Sequence, residues 1–273
     1  MHRAFGHIRV VLAGLLAAFP LMGLAATAGS ALTPDEIVHR AVQRAESPAS
    51  HELRPNYSYT KHTVTDDLDA TGHIKARKEK LYSVSVEAGL SYLKLLQYNG
   101  QNLSAAELKK EDERDAAERQ KMLDAKPGHK GDERENFLTA ELAAKYNYTL
   151  VDEPSINGRL AYQLAFEPKP NLPVKHLTDR FANQMAGRVW IDAEDFEIAR
   201  AEVHLKSEVT LWGGMVGTLR HCRYTLERTR MADGTWFNSD SHGIFEGRKL
   251  IEPMLIRTRS ESSNFHRAGA VLQ

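Results

Sequence analysis

Alternation constrains this chain more than any other feature. Across residues 185–205 (MAGRVWIDAEDFEIARAEVHL), Val189 and Ile191 alternate with Arg188, Trp190 and Asp192. Further on, Ala199, Ala201, Val203 and Leu205 alternate with Arg200, Glu202 and His204. Successive side chains of an extended strand point to opposite faces, so period two marks a strand with one buried and one wet face. Between the runs, Asp192-Ala193-Glu194-Asp195 supplies turn chemistry, because a short Asp side chain can bond its own backbone. The expectation is an antiparallel hairpin. Asp192, Glu194 and Asp195 form its turn and wet edge, and Trp190 lies on the face opposite Val189 and Ile191.

The pattern recurs along the chain. Strands are expected over 56–65, 73–86, 91–98, 147–152, 159–167, 218–230, 235–246 and 253–265. They are punctuated by turns at 66–72, Asn99-Gly100, Asn157-Gly158 and Ala232-Asp233-Gly234, and by a Gly-rich bend at Trp212-Gly213-Gly214-Met215. Short links force antiparallel neighbours, and a sheet of roughly ten such strands must curl, close or cover itself. No internal repeat marks a propeller or solenoid.

Four stretches read as helix. Thr33-Pro34-Asp35-Glu36 is a capping box with Pro at the first helical position, followed by an apolar face of Ile37, Val38, Ala41, Val42 and Ala45 that ends before Pro48. Ser104-Ala105-Ala106-Glu107 opens a strongly charged helix ending near 125, at Lys126-Pro127-Gly128. Helical spacing resumes over 135–146 with Phe137, Leu138, Leu142 and Ala143, and a short helix is expected within 172–184. The fold class is therefore mainly β (α+β), a curved antiparallel sheet or incomplete β-barrel. An N-terminal helix and the helical insertion 104–146 pack on or over its concave face, and residues 29–273 form one domain.

The first residues read as an export leader. Arg3 and Arg9 precede an apolar stretch over 10–24, and Ala26-Thr27-Ala28 offers a small-residue cleavage site, so cleavage is expected near Ala26 or Ala28, leaving residues 1–28 outside the mature protein. The apolar run is about 15 residues, short of the roughly 20 that a spanning helix needs. With 36 Lys plus Arg and 36 Asp plus Glu in the chain, losing two Arg leaves 34 − 36 = −2. That balance argues against a nucleic-acid partner, which selects clustered positive charge. Cys222 is the only cysteine, so no intramolecular disulfide can hold the exported, periplasmic protein.

The signal-and-helix start, the antiparallel strands and the late G-R-V-W-I-D…E-I-A-R-A-E-V hairpin together resemble the superfamily of periplasmic outer-membrane lipoprotein-sorting (lipoprotein-carrier-like) proteins. The stretches PNYSYTKHTVTDDLDATG, NGQNLSAAEL and INGRLAYQLAFEPKP support the resemblance, which covers most of residues 34–265. It implies an incompletely closed antiparallel barrel with helices in or over the concave side, whose apolar cavity holds acyl chains. The helical insertion departs from the compact carriers.

Catalytic motifs are missing from the sequence. The twelve histidines include no HExxH pair. His221 and Cys222 are strand neighbours facing opposite ways, and Cys222 reads as a small hydrophobe rather than a ligand or nucleophile. Asp66, Asp67 and Asp69 lack the EF-hand register and read as an ordinary turn. There is no G-x-S-x-G elbow, no dinucleotide fingerprint and no phosphate-binding loop. The expectation is a protein without catalysis, metal or cofactor. What remains is an apolar inner face of Tyr162, Leu164, Phe166, Val189, Ile191, Val203, Leu205, Tyr224 and Leu226. It forms either a plain core beneath helices or a pocket for a lipid or lipoprotein acyl chain. The alternative function is an interaction module for envelope stress or assembly, contacting an inner- or outer-membrane protein partner through the helical insertion.

Overall fold

In the computed structural model, which describes residues 32–47, 57–87, 90–124, 138–211 and 217–267, the alternating segments join into one antiparallel sheet. Its strands are β1 (Tyr57–Leu68), β2 (Ile74–Glu87), β3 (Leu90–Tyr98), β4 (Gln101–Asn102), β5 (Tyr146–Asp152), β6 (Ser155–Ile156) and β7 (Arg159–Pro168). Then come β8 (Met185–Asp192), β9 (Ile198–Leu205), β10 (Val209–Leu211), β11 (Gly217–Arg230), β12 (Trp236–Lys249) and β13 (Glu252–Arg267). The helices are α1 (Pro34–Glu46), α2 (Ala105–Asp124), α3 (Ala140–Ala143) and α4 (Leu177–Ala182). β4, β6 and β10 have only two or three residues each. The other strands account for the number expected from alternation. The leader, the Pro48–Pro55 part of the first loop, the link after α2 with residues 135–137, and the Trp212–Met215 bend lie outside the described residues.

The strand order is β4-β3-β2-β1-β13-β12-β11-β9-β8-β7-β5, with β10 on β11 and β6 on β7. The ends β4 and β5 do not pair, so the curved sheet stays open rather than closing as a barrel. Most neighbours are hairpin partners. Pairing of β1 with β13 is not, and runs from Tyr57↔Arg267 to Asp67↔Ile256, joining the first and last strands. Because β4 and β5 are opposite edges, the segment between Asn102 and Tyr146 carries the chain from one side of the sheet to the other. The helical insertion is thus a necessary crossing.

Two expectations are corrected. The helix over 135–146 contracts to Ala140–Ala143, capped by Thr139, whose hydroxyl accepts from the Leu142 amide at 3.1 Å. Tyr146 already belongs to β5, because Tyr146, Tyr148 and Leu150 pair with Pro168, Phe166 and Leu164, and this alternation overrides helical spacing. Asp66 was expected in a turn. It lies in β1, almost fully buried, where Arg77 and Arg257 from the flanking strands donate to its carboxylate at 2.7 and 2.8 Å.

The capping box of α1 forms as read. The Glu36 amide donates to the Thr33 hydroxyl at 3.3 Å, and the Thr33 amide donates to the Glu36 carboxylate at 2.9 Å. The face of Ile37, Val38, Ala41 and Val42 is buried against Leu164, Val189 and Ile191. α2 instead lies along β3. The Arg119 guanidinium sits 4.1 Å from the Tyr92 ring centroid and donates to Ser85, Arg114 donates to the Leu93 carbonyl, and Lys94 pairs with Asp112. Separate clusters form around Tyr57, Val86 and Phe237, and around Leu205, Val209 and Cys222.

Candidate functional site: an apolar groove beneath α1

Cross-strand register decides which residues share the inner face. Leu164 pairs with Val189, Val189 with Ala201, Ala201 with Leu226, and Val203 with Tyr224. Side chains directly opposite in a ladder lie on one face, so β7, β8, β9 and β11 present a continuous apolar surface. Where α1 carries Ile37, Val38 and Val42 it fills this surface; where it turns Ala41 and Ala45 to the sheet it leaves a gap.

That gap is a groove of about 450 Å³, inside the range of small-molecule sites. Its floor is Phe166, Val189, Ala201, Val203, Tyr224 and Leu226; its roof is Ala41, Ala45, Leu138 and Leu142. Phe181, Ala182 and Met185 flank one side, with Tyr146 and Tyr148 from the edge strand and Phe196 and Ile198 from the β8–β9 turn. Gly187 sits opposite Val203, and a Cβ there would lie 1.9 Å from the Glu202 carbonyl oxygen, so glycine permits the close approach of β8 and β9.

The polar groups of the groove are few. The Tyr146 hydroxyl donates to the Ala182 carbonyl at 2.8 Å and that of Tyr148 to the Ala143 carbonyl at 3.2 Å. Burial pushes the Tyr146 phenol up to about 12 and raises that of Tyr148 too, so both stay neutral donors. Glu197 is the one acid in the lining. It accepts from Arg228 at 2.9 Å and from Arg44 of α1 at 3.2 Å, tying helix to sheet. Arg228 also donates to the Ile198 and Trp236 carbonyls, while its Nε is buried without a partner. Among the described residues no three His, Cys, Asp or Glu side chains stand together as a metal site.

Of the nine inner-face residues named from sequence, Phe166, Val189, Val203, Tyr224 and Leu226 line the groove. Leu164 and Ile191 are solid core under α1, fully buried, with Tyr162 packed beside them. Leu205 belongs to the cluster with Val209 and Cys222. Alternation places a residue on a face but does not show where the covering helix stops filling it. Sequence reasoning missed Phe196, held at φ +54° in the turn, Tyr146, hidden by the helical spacing before β5, and Tyr148, which lay in an expected strand but was not named on the inner face.

The acidic turn is also corrected. Asp192 is not a wet edge; it is almost fully buried. Arg159 donates to both its carboxylate oxygens, at 2.6 and 2.7 Å, and the Glu194 and Asp195 amides donate to it at 3.0 and 2.8 Å. Asp195 accepts from Arg230 at 2.5 Å and from the Trp236 indole at 3.0 Å. The network fixes the turn that carries Phe196, Glu197 and Ile198 into the groove wall. Trp190, on the opposite face, is buried with the Arg200 guanidinium 5.1 Å from its ring centroid. Cys222 is buried, and burial raises its thiol.

A second cavity, of about 460 Å³, lies between the β7–α4 loop and β10. Its lining mixes Lys169, Asn171, Arg180, Asn183, Gln184 and Glu208 with Pro170, Leu172, Val174 and Val209.

No family model matches the sequence, and no curated protein does. Solved structures do. A domain from Vibrio parahaemolyticus described as an outer membrane lipoprotein-sorting protein is 12% identical, covering 87% of this chain and 93% of that one, with a TM-score of 0.36. A LolA-superfamily protein from Nitrosomonas europaea is 13% identical over 86% and 93%, with a TM-score of 0.31. The MucA/MucB complex of Pseudomonas aeruginosa gives 11%, 85% and 99%, and 0.29. None of these likenesses brings a ligand or a partner over to this chain.

Proposed function

We propose that the groove holds an acyl chain, and that the protein is an exported, periplasmic binding or carrier protein for lipid or lipoprotein acyl chains. Residues 1–28 are the leader, and 29–273 the working domain. The observation that carries this reading is the groove itself: about 450 Å³ beneath α1, with an almost wholly apolar lining. Such a lining selects by burial rather than by directed hydrogen bonds. Each buried methylene contributes about 0.8 kcal/mol, so ten carbons give roughly 8 kcal/mol gross. Micromolar affinity needs about that much, and losing the chain's freedom subtracts from it. The two phenols are already bonded to carbonyls and the Glu197 carboxylate to two arginines.

The test is extraction. Protein purified after export is treated with organic solvent, and the extract is analysed by mass spectrometry. Lipid close to one per protein is expected. Repeated empty extracts, together with no binding of a fluorescent fatty acid, would sink the proposal and favour the interaction-module alternative.

A further inference from the structure

The tight turn between β12 and β13 departs from the Asn-Gly pattern of the other two-residue hairpin turns among the described residues. Asn99-Gly100 joins β3 to β4 and Asn157-Gly158 joins β6 to β7, all four residues at positive φ. Asn and Gly are the residues that tolerate this backbone. In the third case Lys249 pairs with Glu252, and the two residues between them are Leu250 and Ile251. Leu250 holds φ +55°, a region that disfavours a bulky side chain. Packing does not compensate, since Leu250 is 56% exposed and Ile251, at 91%, is the most exposed of the large hydrophobic residues described. A locally unfavourable choice with no structural return points to a functional one.

The charge behind the tip indicates what it meets. Arg248 and Lys249 are consecutive on β12, so alternation sends them to opposite faces of the ribbon, and positive charge collars the tip on both sides. Arg248 also donates to the Leu250 carbonyl at 2.8 Å, which anchors the collar to the turn. Glu252, across from Lys249, is the one acid beside them, leaving a net positive tip. We propose that this tip docks the protein on a bilayer bearing anionic headgroups. Leu250 and Ile251 enter the boundary of the acyl region, and Arg248 and Lys249 lie at headgroup level. Apolar insertion backed by basic side chains is how peripheral proteins hold an anionic surface. A protein partner fits less well. Two side chains on a projecting turn fall far short of the roughly 800 Å² per side of a stable protein interface, whereas a bilayer accepts a narrow wedge.

The turn lies well away from the groove. Gly217, which pairs with Lys249, is seven residues from Tyr224 along β11, or roughly 24 Å, so changes at the tip leave the groove lining intact. The experiment is vesicle co-flotation of the purified protein, with phosphatidylcholine alone and with phosphatidylcholine containing phosphatidylglycerol. Binding to the anionic vesicles is expected to be about 5-fold tighter if Glu252 counts fully against the collar and about 30-fold tighter if it does not. Added salt should weaken it. Leu250→Gly/Ile251→Ser installs a dipeptide suited to a hairpin turn, so the thermal midpoint and fatty-acid binding should hold while vesicle binding falls on the order of tenfold or more. Arg248→Gln/Lys249→Gln should remove the preference for anionic lipid. Equal flotation of parent and Gly-Ser variant would overturn the proposal. So would no flotation at all, or capture only by vesicles carrying membrane proteins.

Discussion

Replacing Asp192 with alanine should be among the most damaging single changes that leave the groove lining itself untouched. The Asp192 side chain is 2% exposed and its partner Arg159 is 24% exposed. Burial pushes the carboxyl upward, but the paired Arg159 guanidinium and the Asp195 and Glu194 amides outweigh it and hold Asp192 below the usual carboxylate range. Asp192→Ala strips four donors of their acceptor and leaves the Arg159 guanidinium to Glu194 and Asp195 alone, at 3.1 and 3.5 Å. Breaking a buried pair by removing one partner costs about 3–5 kcal/mol. At roughly 2–4 °C per kcal/mol for a chain of this size, the thermal midpoint should fall by about 6–20 °C. Circular dichroism melts at neutral pH measure it. Arg159→Met/Asp192→Leu removes both charges and should cost less than Asp192→Ala alone. Fatty-acid binding should weaken in the single variant, because the loosened turn carries Phe196 and Ile198 of the groove wall. A midpoint within about 2 °C of the parent, or a double variant worse than the single one, would refute the reasoning.

Further outcomes follow from the same geometry. Asp66 is held by Arg77 and then Arg257, against burial, and its pKa drops from 3.8 to about 2. A carboxylate depressed on folding adds stability that is complete above its unfolded value and is lost as pH falls through the folded one. The urea midpoint should therefore drop between about pH 4 and pH 2, and less so in Asp66→Asn; identical pH profiles would contradict the clamp. Gly187→Ala brings a Cβ to 1.9 Å from the Glu202 carbonyl oxygen and 3.1 Å from the Phe166 ring. It should cost about 1–3 kcal/mol by denaturant titration, and an unchanged midpoint would show that β8 and β9 can move apart. Cys222 should react slowly with a thiol reagent in the folded protein and quickly in denaturant, as its burial and raised pKa require. Fast labelling of folded protein would place it at the surface.

Sequence made the strands legible because period two is a local signal. Asn99-Gly100 and Asn157-Gly158 marked their turns, and the Thr33 and Ser104 capping boxes both form. Pairing across the chain was not legible. Nothing local in β1 names β13 as its partner, and only that pairing makes β4 and β5 opposite edges and the helical segment a crossing. Buried ion pairs were equally hidden, since Asp192 and Arg159 are 33 residues apart and an acid in a turn-like run reads as solvated. Half of the groove was visible as an alternating apolar face. The other half depends on where α1 offers Ala41 and Ala45 rather than Ile37 and Val42, a distinction between filling and sparing that hydrophobic pattern alone does not draw.

Photo-labelling tests most directly whether an acyl chain lies between α1 and the sheet. A fatty acid carrying a diazirine near its methyl end is irradiated with the purified protein, which is then digested and mapped by mass spectrometry. Labels are predicted on the groove walls, at Phe166, Val189, Val203, Tyr224 or Leu226, and competed by unlabelled fatty acid. Ala201→Trp, which fills the groove, should abolish them while leaving the fold intact. Labels confined to the second cavity, around Asn171 and Glu208, or labels that persist in Ala201→Trp, would contradict the account.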